Sequence, residues 1–265
     1  MKKILESKQN ESVGDILRSW RQLKRISQMD LALDVGISSR HLSFVETGKS
    51  QPSRDLILRI AQTLKLPLRH RNAFLNAAGY AAEYSEESFN GQKMEMVRQA
   101  LQRMIEAHEP YPAFVVNAGY NILMTNSGFD LMMNFFFGGD SVNGENNVYR
   151  IIFAENGLRQ YIQNWEVVEH FMLTRLWDEV ISTQNSELIA LYNDISKLRS
   201  GKQPLEIQHD NNLPILSLSL EKDSATVSFF TTITTLGTPL DLTTQELRIE
   251  ALFPADEETK QLFHS

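Results

Sequence analysis

The chain has 265 residues, room for one large or two ordinary domains, and 42% of them are hydrophobic, which supports real cores and argues against disorder. Cysteine is absent, which excludes disulfides, thiolate metal sites and cysteine nucleophiles; no apolar run reaches the roughly 18 residues of a membrane span, and Met1–Leu5 turns polar too soon for a signal peptide, so a cytoplasmic setting is expected. The net charge of −7 is split: residues 1–84 hold 14 Lys and Arg against 8 Asp and Glu, a net +6, and the remainder carries −13, so only the front of the chain suits a polyanion.

In chain order, Lys2 to Ser12 is polar and expected to fray. Val13, Ile16, Leu17 and Trp20 then make the apolar stripe of a first helix. Ser27 is placed to cap a second, with Leu31, Ala32 and Val35 on one face, and Gly36 ends it by adopting a left-handed turn. Ser38 caps a third helix with Leu42 and Val45 inward, which stops at Gly48. After Pro52, Ser53 opens a fourth over Leu56, Ile57, Ile60, Ala61 and Leu64, and Pro67 a fifth with Phe74, Leu75 and Ala78 inward, ending near Gly79. Helix, glycine turn, helix is the pattern of a helix-turn-helix reader, whose second helix lies in the DNA major groove. Its outward face offers Ser39, Arg40 and Ser43, with His41 and Thr47 beside them; arginine matches the two acceptors of a guanine edge. Lys49 and Arg54 lie where a backbone contact is sensible, while Arg21, Lys24 and Arg25 are either further backbone contacts or simply solvated.

Ser27–Ala32 reads S-Q-x-x-L-A, Val35–Ser38 reads V-G-I-S, and Leu42–Lys49 reads L-S-F-V-E-T-G-K, with Pro52-Ser53 after it. In this combination the segment resembles the XRE-type helix-turn-helix family. The resemblance implies that Gln28 contacts a phosphate and that Ser38, Ser39, Arg40 and Ser43 meet bases or the neighbouring backbone. It leaves Glu46 a structural role, as a cap or an ion-pair partner.

Tyr84 to Gln92 is acidic and turn-rich and reads as a linker. It separates a DNA-binding domain over residues 1–83 from a second domain over 93–265. A helix follows from Lys93 to about His108, with Met94, Val97, Leu101, Met104 and His108 in alternating steps of three and four; that stripe packs on its own domain or forms a seam with a partner. Ala113–Asn117 and Tyr120–Asn126 read as a hairpin around Ala118-Gly119. From Gly128 to Arg199 the pattern is helical, broken at Gly138 to Asn147. Strand character returns over Leu216–Leu220 and Ala225–Leu236 around a turn at Glu221–Ser224, and a helix is expected near Asp256 to Phe263. The expected architecture is therefore multidomain: an all-α five-helix domain followed by an α+β sensor-like domain.

His108–Val116 (H-E-P-Y-P-A-F-V-V), N-x-x-R-x-x-F over Asn147–Phe153, Asn164-Trp165 and the long run from Leu236 to Asp256 make this second part similar to the MmyB-like transcription regulators. That resemblance implies a PAS-like ligand-binding fold holding a small apolar or fatty-acid-like effector. Phe114, Met124, Met132, Phe136, Trp165, Phe171 and Phe229 are the expected apolar lining, or else simply core. Arg150 is first choice for a carboxylate head group, with Arg159 and Arg175 behind it. The histidines, at 41, 70, 108, 170, 209 and 264, show no metal-ligand spacing, and neither a P-loop nor a nucleophile elbow occurs, so no cofactor, metal or catalysis is expected. Expected partners are double-stranded DNA with a pseudo-palindromic operator, the effector, and a second copy in a homodimer. The alternative is a second domain that only dimerises or recruits a protein.

Overall fold

The computed structural model describes residues 12–138, 144–199, 215, 217–223 and 225–264. It forms two compact units, Met1–Glu87 with Thr238–Gln245, and Ser88–Gly237 with Glu246–Ser265. The expected polar opening before Ser12, Leu216 of the expected strand and Ser224 of the expected turn lie outside the described residues.

The described N-terminal part of the first unit forms five helices: α1 (Val13–Leu23), α2 (Gln28–Asp34), α3 (Ser39–Glu46), α4 (Arg54–Thr63) and α5 (Leu68–Ala77). The first four each begin at a serine whose hydroxyl accepts from a backbone N–H three residues on: Ser12 from Asp15, Ser27 from Asp30, Ser38 from His41 and Ser53 from Leu56. Gly36 and Gly48 follow α2 and α3 at φ +71°, where a side chain would be strained. Leu17, Leu31, Leu42, Val45, Ile57, Ile60, Phe74 and Leu75 are fully buried in one core. The helix pair closes tightly, because a Cβ on Gly14 of α1 would stand 2.6 Å from the Glu46 carbonyl at the end of α3.

The second unit is built around a sheet. Its elements are α6 (Glu95–Glu106), β1 (Ala113–Val116), β2 (Ile122–Thr125), α7 (Ser127–Phe137), α8 (Val148–Phe153), α9 (Trp165–Thr183), α10 (Ser186–Ile195), β3 (Leu218–Lys222), β4 (Ala225–Thr235), β5 (Arg248–Pro254) and α12 (Glu257–His264); the short α11 (Leu242–Glu246), between β4 and β5 in the chain, falls almost wholly in the first unit. The sheet is antiparallel, in the order β2-β1-β5-β4-β3. Ala113, Val115 and Ile249 pack with Met94, Leu101 and Ile105 of the α6 region. Since side chains alternate along a strand, Phe114, Val116, Arg248 and Glu250 face the other way. Buried Asn126 pins the junction of β2 and α7: it accepts from Ala113 N at 2.9 Å and Phe129 N at 3.0 Å, and donates to the carbonyls of Ile105 and Tyr111.

Several expectations change here. Met94 and Leu101 are buried as anticipated, but Ile105 completes the inward face and Met104 is 43% exposed, because a straight helix of this length keeps the 3.6-residue period rather than a seam. The turn anticipated from Glu221 begins later, with β3 running on through Lys222. β5, read in the sequence only as part of a motif, is the middle strand of the sheet. Thr238–Gln245, assigned by sequence to the second domain, clusters with the five helices. There Asp241 accepts from the Ser85 hydroxyl and from Glu87 N, Leu242 N donates to the Ser85 carbonyl, and Leu68 N donates to Gln245 Oε1 at 2.8 Å. Tyr84, at the start of the expected linker, is likewise held, by both ends of the Asn72 side-chain amide.

Candidate DNA-reading and effector sites

The α2–Gly36–α3 pair leaves Ser39 and Arg40 exposed at the first turn of α3, with Ser43 half-buried one turn on. Arg40 is steadied by an aromatic ring: its guanidinium lies 5.3 Å from the centre of the Phe44 ring, and Lys49 Nζ lies 5.9 Å from the same ring. Two cations are thus held over one aromatic platform beside the reading helix. Ser38 is engaged as the cap of α3, its oxygen 3.2 Å from His41 N. Exposed Arg54, at the start of α4, is ion-paired with Glu83.

Gln28 has a second occupation that sequence reasoning did not find. Its Nε2 donates to Glu46 Oε2 at 2.6 Å, and Arg21 clasps the same carboxylate from Nε at 2.6 Å and Nη2 at 3.1 Å while donating to the Ile26 carbonyl. Burial pushes the Glu46 carboxyl up, but the bonds from Arg21 and Gln28 and the charges of Arg21 and Arg18 outweigh it and hold the group below the ordinary range. Arg21, left open in the sequence between backbone contact and solvent, is a half-buried fastening of α1 to the buried Glu46 of α3. The signal was present: Arg21 follows Leu17 and Trp20 on one face, and Glu46 follows Leu42 and Val45.

In the second unit the expected lining residues do not all share one face of the sheet. Phe114 is buried on the sheet with its ring 5.1 Å from Phe129, whereas Met124 packs on the opposite face with the α6 cluster. Met132 and Phe136 are buried on α7, Phe136 lying 5.0 Å from Tyr161. Trp165 meets Phe153 edge-on at 5.0 Å under the Arg159 guanidinium. Phe229 is buried against Phe263, and Phe171 is 37% exposed. Arg150, the first choice for a head group, is a surface residue paired with Asp194 at 2.9 Å.

What the fold does gather is an ionic cluster between α9 and β5. Arg175 and Glu179 stand one turn apart on α9, while Arg248 and Glu250 stand two apart on β5 and so share a sheet face. Arg175 pairs with Glu250, Arg248 reaches Glu179 at 2.9 Å, and the Tyr120 hydroxyl donates to Glu179. Both guanidiniums lie 5.2 Å from the Tyr120 ring centre. Burial pushes the Tyr120 phenol up; the two arginines oppose that, Glu179 adds to it, and the hydroxyl keeps its proton. Burial works against the charge of Arg175, but Glu250 more than offsets it, so the guanidinium stays ionised. From Tyr120 an aromatic row leads away through Tyr149 at 4.7 Å to Phe153 and Trp165. The cluster was visible in the sequence only to a reading that made residues 248–254 a strand.

Two family models match the chain: a helix-turn-helix model over residues 17–70 and that of the MmyB-like transcription regulator ligand binding domain over residues 97–265. No curated protein matches it. Among solved structures the chain is similar to an RNA-binding light-oxygen-voltage receptor, at 11% identity and a TM-score of 0.28, over 93% of this chain and 63% of that one. It thus spans just under two thirds of that receptor's length, 63%. No described helix is long and apolar enough to cross a membrane. The chain thus joins a helix-turn-helix unit to a unit with a five-stranded sheet that matches a ligand-binding domain, and it belongs to the family of MmyB-like transcription regulators.

Proposed function

We propose that this regulator acts in the cytoplasm as a homodimer on a pseudo-palindromic operator, with half-site centres about 34 Å apart, and that a small apolar or fatty-acid-like effector in the second domain alters its operator affinity. The observation that carries the reader is Arg40, exposed on the first turn of α3 and steadied over Phe44 within the basic part of the chain. A guanidinium held in that way has lost part of its rotamer freedom before it meets a base edge, which favours directional contact over general attraction. The strand order β2-β1-β5-β4-β3, with helices on the face that carries Glu250, supports a PAS-like domain. The aromatic row from Tyr120 to Trp165 supports an effector with an apolar body.

Selection of the operator from random duplexes, followed by affinity measurements at fixed salt, tests the reader. Arg40→Ala is expected to cost about 1–3 kcal/mol on the selected site and much less on random DNA, relaxing preference at one position per half-site. Equal losses on both would remove Arg40 from base reading. Failure to retard any duplex at low ionic strength would sink the DNA-binding reading itself.

A further inference from the structure

Helix α6 carries two apolar faces, and its own domain covers only one. Met94, just before the helix, and Leu101 and Ile105 within it are buried in the core against the sheet. On the solvent side Met96 is 78% exposed and Met104 43%, and Ala100, midway between them, is exposed as well. Spaced by four, these residues form one ridge along the helix with no charged side chain in the row. The charges beside the ridge are ordered along it: Lys93 and Glu95 stand at its start, Arg103 and Glu106 at its end. Arg103 is exposed and has no ion pair among the described residues. Glu95 accepts from Arg98 and Gln99 of its own helix, and an ionised carboxylate has room for a further donor.

We propose that this ridge is the seam on which two copies of the chain pair, α6 of one running antiparallel to α6 of the other and crossing it at Ala100. The proposal rests on the homodimer reading and identifies its surface. A two-fold axis through Ala100 sets each residue opposite the one equally far from Ala100 on the other side. Met96 then packs against the partner's Met104, and the small side chain of Ala100 lets the two backbones approach. Methionine suits such a ridge because its flexible thioether fills an irregular groove. Charge decides the direction. In the antiparallel pair Arg103 comes within two residues of facing the partner's Glu95, and Lys93 within one of facing the partner's Glu106. In a parallel pair each of these four charges would instead face its like. One helix pair covers less than the roughly 1,200–2,000 Å² of a standard interface, so the seam is weak in the free protein.

The chain has no cysteine, so introduced thiols report the seam without background. Met96→Cys and Met104→Cys are made singly and together in the full chain, and mild oxidation is followed by non-reducing electrophoresis. The two positions lie about 12 Å apart along the helix, too far for a disulfide within one copy or, across an antiparallel seam, between like positions of two copies. The double variant, and an equal mixture of the two single variants, are therefore expected to cross-link at least about tenfold faster than either single variant alone. Ala100→Arg sets two like charges at the crossing and is expected to weaken self-association at least about tenfold in sedimentation across a concentration series, at an unchanged melting temperature. If Met96→Cys alone cross-links as fast as the double variant, the helices run parallel and the antiparallel seam is overturned. If the protein dimerises but no variant cross-links, or Ala100→Arg leaves the dimer intact, another surface pairs the copies; the inference falls while the homodimer reading stands. If the protein is monomeric at every concentration, alone and on its selected operator, the homodimer reading falls and takes this inference with it.

Discussion

At the scale of single residues, the α2–α3 pair depends on Glu46 as much as the proposed DNA contact depends on the exposed side chains of α3. The carboxylate is buried, with its side chain 1% exposed, at the end of the helix that carries Arg40, and it accepts from both Arg21 and Gln28. Removing one member of a buried pair leaves the other uncompensated, so Glu46→Gln is expected to cost about 3 kcal/mol of first-unit stability, read as a lowered melting temperature. The pH dependence follows from the direction of the shift. Because the folded group titrates below its ordinary 4.5, its contribution is complete above that value and is lost as pH falls through the lower, folded one. Melting temperatures should therefore drop below about pH 4.5 in the unaltered protein, and part of that acid limb should be absent in Glu46→Gln. An identical acid limb in both would show that this carboxylate is not what acid attacks. The same geometry qualifies the phosphate role that family resemblance gives Gln28. Its Nε2 has one hydrogen committed to Glu46, so replacing it disturbs the α2–α3 pair as well as any backbone contact.

At the scale of elements, what was legible in the sequence was what is local. Ser27, Ser38 and Ser53 announce three helices because the capping bond spans three residues, and Gly36 and Gly48 announce two stops because the left-handed turn is made by the glycine itself. The start of α5 has no such signal: Pro67 provides no side-chain cap, and the bond to Leu68 N comes from Gln245, 177 residues on. A cap supplied from that distance has no periodicity to reveal it. β5 was missed for a related reason. Its middle position calls for an apolar run, but Arg248 and Glu250 interrupt that run with charges whose partners, Glu179 and Arg175, lie on a helix far back in the chain. Gln245→Ala is expected to cost the first unit about 1 kcal/mol, the value of a lost helix cap, and to speed amide exchange in the first turn of α5. Gln245→Glu, which retains the acceptor, should restore most of that loss. Unchanged exchange at Leu68 in the alanine variant would show that Gln245 merely lies nearby.

At the scale of the molecule, the division of charge was readable from composition, since +6 and −13 fall in successive stretches. The return of Thr238–Gln245 to the first unit was not, because it is a fact of tertiary contact. That return bears on regulation through connectivity alone. The segment joins β4 to β5, and β5 carries two of the four charges in the ionic cluster with α9, while Gln245 ends the segment at the start of α5. An effector that prefers one arrangement of β5 thereby acts on a strand three residues beyond the reader's cap, and thermodynamic linkage then binds the two sites in both directions. If an apolar or fatty-acid-like amphiphile changes operator affinity about tenfold, operator DNA must change the protein's affinity for that amphiphile by about the same factor and in the same sense. Gel retardation across an amphiphile series and fluorescence titration with and without operator measure the two halves of this cycle independently. Agreement between the two factors, together with a reduction of both in Gln245→Ala, is the expected result. A large effect of the amphiphile on DNA binding that Gln245→Ala leaves untouched would mean that coupling runs elsewhere, and the β4–β5 connection would then be only a structural clasp.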